Sequence, residues 1–227
     1  MKWETNKEKF INFIINNNVI GFPDQPIMLA SGRLSSFYIN WRRIAADVYL
    51  LDCLTDYLIS FIKYLKLEPN CFYGVPEGAS KLAIITQFKW ARSQEDYKAG
   101  IYPLSMGRGK PKNHGDPEDR FFLGFPKGNV VVVEDVSTTG QSLIKSVEKL
   151  KSLDVNIISV IGLTNRDEIS EEGNYFEDIL LKKGINYYAM STITDILSHI
   201  NLNPDITHEI EIYYKKYGIR DLKSDSH

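Results

Sequence analysis

The run Val130-Val131-Val132-Val133 places four β-branched residues in a row with no polar alternation. Such a run predicts a central strand buried on both faces of a parallel sheet, and so puts the chain in the α/β class. Glu134 and Asp135 follow where that strand is expected to emerge, then Val136-Ser137-Thr138-Thr139-Gly140-Gln141-Ser142. A helical pattern through Leu143, Val147 and Leu150 comes after it. A strand, a tight polar turn and a helix gather free backbone N–H groups and a positive dipole end at one spot. Ser137, Thr138, Thr139 and Ser142 add hydroxyl donors, so the spot suits a phosphate monoester. Glu134 and Asp135 would repel a phosphate, but carboxylates accept hydrogen bonds from a pair of sugar hydroxyls. A ribose with its 5-phosphate in the turn satisfies both halves. The bland alternative is an ordinary strand–turn–helix with a solvated acidic pair and an N-capping threonine.

Composition agrees with an enzyme. The chain has 227 residues, 43% of them hydrophobic, enough for one large domain with a core of its own. A formal charge of −2 gives no hint of a nucleic-acid surface. No apolar run approaches the roughly 20 residues that span a bilayer, and the N-terminus is too polar for a secretory signal. Cys53 and Cys71 have no metal-like spacing, which predicts free buried thiols in a reducing cytosol. The expectation is a cytoplasmic protein with neither membrane nor nucleic-acid partners.

In chain order, Thr5 and Glu8 read as a capping box for a first helix with Phe10, Phe13 and Ile14 on its apolar stripe. Ile27 to Ala30 and Phe37 to Asn40 read as two strands of a hairpin around Ser31-Gly32-Arg33-Leu34-Ser35-Ser36, forming a small cap over the main domain. Asp47 to Leu65 reads as a long packing helix. Cys71 to Val75 is the next strand, Pro76-Glu77-Gly78-Ala79-Ser80 its turn, and a helix through Leu82, Ile85, Phe88 and Ala91 follows. Gly74 and Gly78 allow backbone amides to approach an anion, so this is a candidate second phosphate turn.

Ile101 to Ser105 reads as a strand. Met106 to Pro126 lacks any period, is rich in glycine, proline and charge, and is expected to be a mobile lid holding Arg108, Lys110, Lys112 and His114. Asn156 to Thr164 is a strand ending at Asn165-Arg166-Asp167-Glu168, where open α/β sheets bind ligands, with Glu168 to Glu172 as exposed loop. Phe176 to Lys183 is a helix, Ile185 to Met190 a last strand, Ile193 to Ile200 and Pro204 to Tyr217 further helices, and Leu222 to His227 a frayed end.

The hydrophobic strand, paired acids, small turn residues and glycine of Val130 to Ser142 resemble the phosphoribosyl pyrophosphate (PRPP) signature of the type I phosphoribosyltransferases. Within that family the likeness is to the orotate-specific branch, from about Phe10 to Gly218. Ser31-Gly32-Arg33 with Phe37-Tyr38-Ile39-Asn40 is similar to its hood, Gly74 to Lys81 to its diphosphate turn, and Arg108…Lys112-Asn113-His114-Gly115 to its catalytic loop. Arg166 stands where the family has an orotate-contacting arginine. Three departures stand out: Ala30 in place of a lysine, Gly109 in place of a second basic residue, and Ile39 in place of one of two stacked aromatics.

What the resemblance implies is a single type I domain over residues 1–227, with hood elements from about 1–45 and a mobile catalytic loop over 106–126. It implies transfer of the 5-phosphoribosyl group from PRPP to orotate, in pyrimidine biosynthesis, by a homodimer with shared active sites. PRPP would be held by Glu134, Asp135, Ser137, Thr138, Thr139, Gly140, Gln141 and Ser142, with Lys81, Arg108, Lys110, Lys112 and His114 as its cations and donors. Arg108, Lys112, His114 and Asp135 would be catalytic, and Thr138, Arg166, Tyr38 and Phe37 would meet orotate. Mg²⁺ would be carried mainly by substrate phosphates and water rather than by a protein cage. Transfer to another base, or a PRPP-sensing regulator without turnover, are the alternatives.

Overall fold

A computed structural model describes residues 3–112, 114, 120–170 and 172–219. Asn113 and Gly115 of the loop motif and the end from Leu222 to His227 lie outside the described residues.

The described elements begin with α1 (Trp3–Asn16), already helical two residues before Thr5, so Thr5 is a helix-body residue rather than a cap. Four two-residue strands follow: β1 (Ile20–Gly21), β2 (Ile27–Met28), β3 (Leu34–Ser35) and β4 (Tyr38–Ile39). The hairpin is β2 against β3, while β4 turns away to pair with β1. Ile27–Ala30 therefore does not pair with Phe37–Asn40 as the sequence suggests; strands this short carry no period to fix their register.

α2 (Val48–Tyr64) is capped by the Asp47 carboxylate, which accepts from the Leu50 N–H. β5 (Cys71–Gly74) leads into α3 (Ser80–Arg92), on which Phe88 is 53% exposed instead of packed. Ile101 to Ser105 is irregular, and the chain instead pairs β6 (Met106–Gly107) with β7 (Phe122–Leu123). The stem of the expected lid is therefore a β-ribbon, extended by the bonds Arg108 N–H to Phe121 O and Lys112 N–H to Arg120 O.

β8 (Val130–Ser137), α4 (Gln141–Lys151), β9 (Ile157–Asn165), α5 (Phe176–Lys182), β10 (Tyr187–Thr192), α6 (Ile193–Leu197) and α7 (Pro204–Tyr217) complete the series. The main sheet has the order β10-β9-β8-β5 with every pair parallel. Val131 and Val133 face a core built with α1, α2, α3 and α7, and Val130 and Val132 face a second one built with α4 and α5. All four valines are fully buried. At about 1.5–3 kcal/mol for each such side chain, their burial is a strong reason for this strand to sit in the middle.

Because the parallel strands run the same way, their carboxyl ends lie together. The turns after β5, β8 and β9 therefore converge on one edge of the sheet, beneath the hood strands.

Candidate active site

A cavity of about 490 Å³ opens at that edge. Its floor is Glu134, Asp135 and Val136 with the turn Thr138 to Ser142, one wall is Pro76-Glu77-Gly78, and the roof is the hood from Met28 to Ser31 and Tyr38 to Arg42. Arg166 closes the far side.

The turn is shaped for an anion. Gly140 has φ 71° and caps α4 without any side-chain bond, a left-handed conformation that glycine adopts without strain. A Cβ there would also run into Phe176. Among the described residues, the backbone N–H groups of Thr138, Thr139 and Gly140 have no hydrogen-bond partner, and all three residues line the cavity.

β8 runs four residues beyond Val133, so the acids are part of the strand and not of a solvated exit. Glu134 is 4% exposed and takes a bond from the Ser142 hydroxyl at 3.2 Å. Burial, and then the neighbouring Asp135, push its carboxyl well above the ordinary range. Asp135 is half-buried and accepts from the Val136 N–H at 3.0 Å. The turn Pro76-Glu77-Gly78 closes directly onto it: a Cβ on Gly78 would collide with the Asp135 carboxylate. The Pro76–Glu77 peptide in this turn is cis.

Several expected site residues lie elsewhere. The Ser137 side chain is buried under the sheet, where it accepts from Tyr187 at 3.1 Å; continuing the strand alternation turns it away from the cavity. Lys81 points to the outer side of α3 and donates to Ala45 O at 3.1 Å. Phe37 is fully buried and reaches the cavity only through Arg166, whose guanidinium lies 4.0 Å from its ring centroid. Tyr38, one position on, faces the cavity. Arg108, Lys110 and Lys112 are on the ribbon, His114 comes two positions after its last paired residue, Lys112, and none of the four lines the cavity wall. The ribbon nevertheless passes close by, since a Cβ on Gly109 would come 3.2 Å from the Glu77 carboxylate.

Arg166 is 1% exposed and paired with a carboxylate that is fully buried: its Nε meets Glu168 Oε1 at 2.6 Å. Glu168 was expected in exposed loop, and the structure corrects that. Burial alone would lower the Arg166 pKa, but Glu168 and the facing tyrosines outweigh it and the net shift is upward. Sequence reading also missed Arg42 and Trp41. Trp41 donates to Thr164 Oγ at 3.1 Å and stacks on Phe10, which pins the hood to β9. Arg42 borders the cavity with no ion pair among the described residues. Its one sequence signal is its place directly behind the hood aromatics.

Metal fit can be judged from the donor set. No group of three or more His, Cys, Asp or Glu among the described residues is disposed to hold an ion. The cavity offers carboxylate oxygens from Glu77, Glu134 and Asp135, a set that suits a hard cation arriving with its own phosphate ligands. No helix among the described residues is long and apolar enough to cross a membrane.

No family model matches the chain. Its sequence is similar to orotate phosphoribosyltransferases: 28% identical over 166 residues to that of Methanosphaera stadtmanae, covering 73% of this chain and 85% of the relative. The likeness to that of Agathobacter rectalis is 27% over 231 residues, covering 96% of this chain and all of the relative. The fold is similar to the crystal structure of orotate phosphoribosyltransferase from Francisella tularensis, with a TM-score of 0.68 at 22% identity, covering 92% of this chain and 99% of that one.

Proposed function

We infer that this chain, which belongs with the orotate phosphoribosyltransferases, moves the 5-phosphoribosyl group of PRPP onto orotate, giving orotidine 5′-phosphate and diphosphate. The observation that carries the reading is one cavity with an anion-ready turn, a sugar-ready acid pair and a guanidinium.

The 5-phosphate sits in the turn Thr138 to Ser142, on the free N–H groups and hydroxyls beside Gly140. Asp135 and Glu134 accept from the ribose hydroxyls, and the Pro76–Gly78 turn faces the diphosphate. Arg42 is the cation the roof contributes to it. Mg²⁺, bound chiefly through substrate phosphates and water, would neutralise charge on the departing diphosphate. Bond cleavage at C1 builds positive character on the ribose and negative charge on the leaving group. Arg108, Lys110, Lys112 and His114 swing with the ribbon to meet that charge, and closure keeps water from the ribosyl centre. Residues 106–126 thus act as the lid of one catalytic unit spanning 1–227, with residues 1–45 as its hood, and a homodimer would let the ribbon serve a neighbouring site.

Orotate lies between the hood residue Tyr38 and Thr138, with its carboxylate on Arg166. Nε and Nη2 of Arg166 are held by protein, which leaves Nη1 for the substrate. Loss of orotate absorbance on adding PRPP and Mg²⁺, run beside uracil, hypoxanthine and adenine, tests the reading. Orotate alone should be consumed. Equal use of uracil, or turnover of a purine, would overturn the base assignment, and PRPP binding with no turnover of any base would overturn the transferase itself.

A further inference from the structure

The strongest unassigned feature is the polar cluster behind Arg166. It joins three segments far apart in the chain: the hood turn and β3, the exit of β9, and α7. Glu168 is fully buried and holds two guanidiniums at once, Arg166 Nε on Oε1 at 2.6 Å and Arg33 Nη1 on Oε2 at 2.7 Å. The Tyr213 hydroxyl donates to Glu168 Oε2 at 2.9 Å and accepts from Arg166 Nη2 at 3.4 Å. Arg166 Nη2 also donates to Ser35 Oγ at 3.1 Å, and the guanidinium carbon stands 4.0 Å over the centre of the Phe37 ring. Arg33 in turn donates to Ile169 O at 2.7 Å and stands 4.4 Å over the Tyr217 ring. The backbone of Arg166 is held as well, its N–H by Ser137 O and its carbonyl by the Tyr214 hydroxyl.

A buried ion cluster of this kind is a poor way to gain stability, because desolvation of each ion offsets the attraction between them. It is a good way to fix geometry. A guanidinium donates in its own plane, so what the one remaining nitrogen, Nη1, offers a carboxylate depends on the angle at which the plane is held. Here the plane is set from the edge by Glu168, from the face by Phe37 and from the far corner by Tyr213 and Ser35.

We propose that Glu168, Arg33 and Tyr213 are positioning residues for Arg166, and that through them α7 sets the enzyme's selectivity for a base bearing a carboxylate. The inference rests on the transferase reading above. None of the three lines the cavity, so they act through Arg166 and not on the substrate.

Tyr213→Phe removes one hydroxyl and keeps the ring that packs on Phe37 and Tyr214. It should raise the KM for orotate about tenfold, the scale of one bond to a charged group, and lower the orotate-to-uracil preference by a similar factor. The KM for PRPP should move less than twofold. Glu168→Gln keeps an acceptor without the charge and should act in the same direction more strongly, with Glu168→Ala worse than Glu168→Gln. PRPP binding followed by tryptophan fluorescence and the melting temperature report the fold independently. An orotate-selective wild type whose Tyr213→Phe and Glu168→Gln variants keep its orotate KM overturns the inference alone. So does an equal loss of orotate and PRPP affinity in Tyr213→Phe, which marks a merely structural role. A wild type that ignores orotate overturns the transferase reading, and the inference falls with it.

Discussion

Gly78→Ala should disable sugar recognition while leaving the protein folded. The backbone at Gly78 is not left-handed, so alanine brings no backbone strain, and everything depends on what its methyl meets. The nearest atoms are those of the Asp135 carboxylate, the end of a side chain that can swing aside. Overpacking usually costs about 1–3 kcal/mol, and a movable carboxylate puts this case near ~1 kcal/mol, or roughly 2–4 °C in Tm for a chain of this size. The functional loss is larger. On the proposed reading a swung carboxylate gives up a bond to a ribose hydroxyl worth about 1.5–3 kcal/mol when one partner is charged, so PRPP affinity should fall about 10- to 150-fold. Isothermal titration with PRPP and Mg²⁺ reads the affinity, and urea unfolding reads the stability. Asp135→Ala supplies the control, since it removes the atoms that the new methyl would strike. In that background Gly78→Ala should add almost nothing, a coupling nearly as large as the whole single effect. Two effects that simply add, or a Gly78→Ala enzyme with wild-type PRPP affinity, would refute the reasoning.

Gly140→Ala should behave in the opposite way and act on stability first: a left-handed φ costs about 1–2 kcal/mol, the collision with Phe176 about 1–3 kcal/mol more, and urea denaturation should show the sum. Glu134 has its carboxyl raised by burial and by Asp135, so the folded protein holds a proton that the unfolded chain releases near pH ~4.3. Its contribution to stability is therefore complete below that pH and is lost as pH rises toward the folded value; Glu134→Gln should flatten this slope in a series of melts without ligand, and an unchanged slope would count against the buried acid. Lys112→Ala should lower kcat on the order of 10²–10³-fold with little change in the KM for PRPP, because its contact strengthens as diphosphate leaves. A change in KM alone would make Lys112 a ground-state anchor.

How far the residues themselves announce this site varies with how local the governing physics is. The valine strand, the acids and the turn to Gly140 were readable because burial, charge and turn chemistry all lie within a dozen neighbouring positions. Ser137 reads as a turn residue but belongs to the strand, which outruns its apolar run, and only the pairing of Ser137 with Asn165 reveals that. Phe37 and Tyr38 show the same limit, as alternation guarantees that one faces in and one out but not which. The ribbon strands β6 and β7 are two residues each and rest on pairing between segments, which no period encodes. Glu168 looked like loop because its partners, Arg33 and Tyr213, are 135 and 45 positions away.

Those same separations have a consequence for how the molecule is made. A ribosome releases Arg33 and Ser35 early, then Arg166 and Glu168, and Tyr213 last of all. At about 5–20 residues per second, the hood arginine waits on the order of ten seconds for its carboxylate, and a few seconds more for the tyrosine. In that last interval Glu168, Ser35 and Phe37 have all been made, but Arg166 still lacks the Tyr213 hydroxyl on its Nη2 and the Tyr214 hydroxyl on its carbonyl. The cluster around Arg166 is therefore completed only when α7, which also supplies Ile210, Tyr213 and Tyr214 to the main core, has left the ribosome.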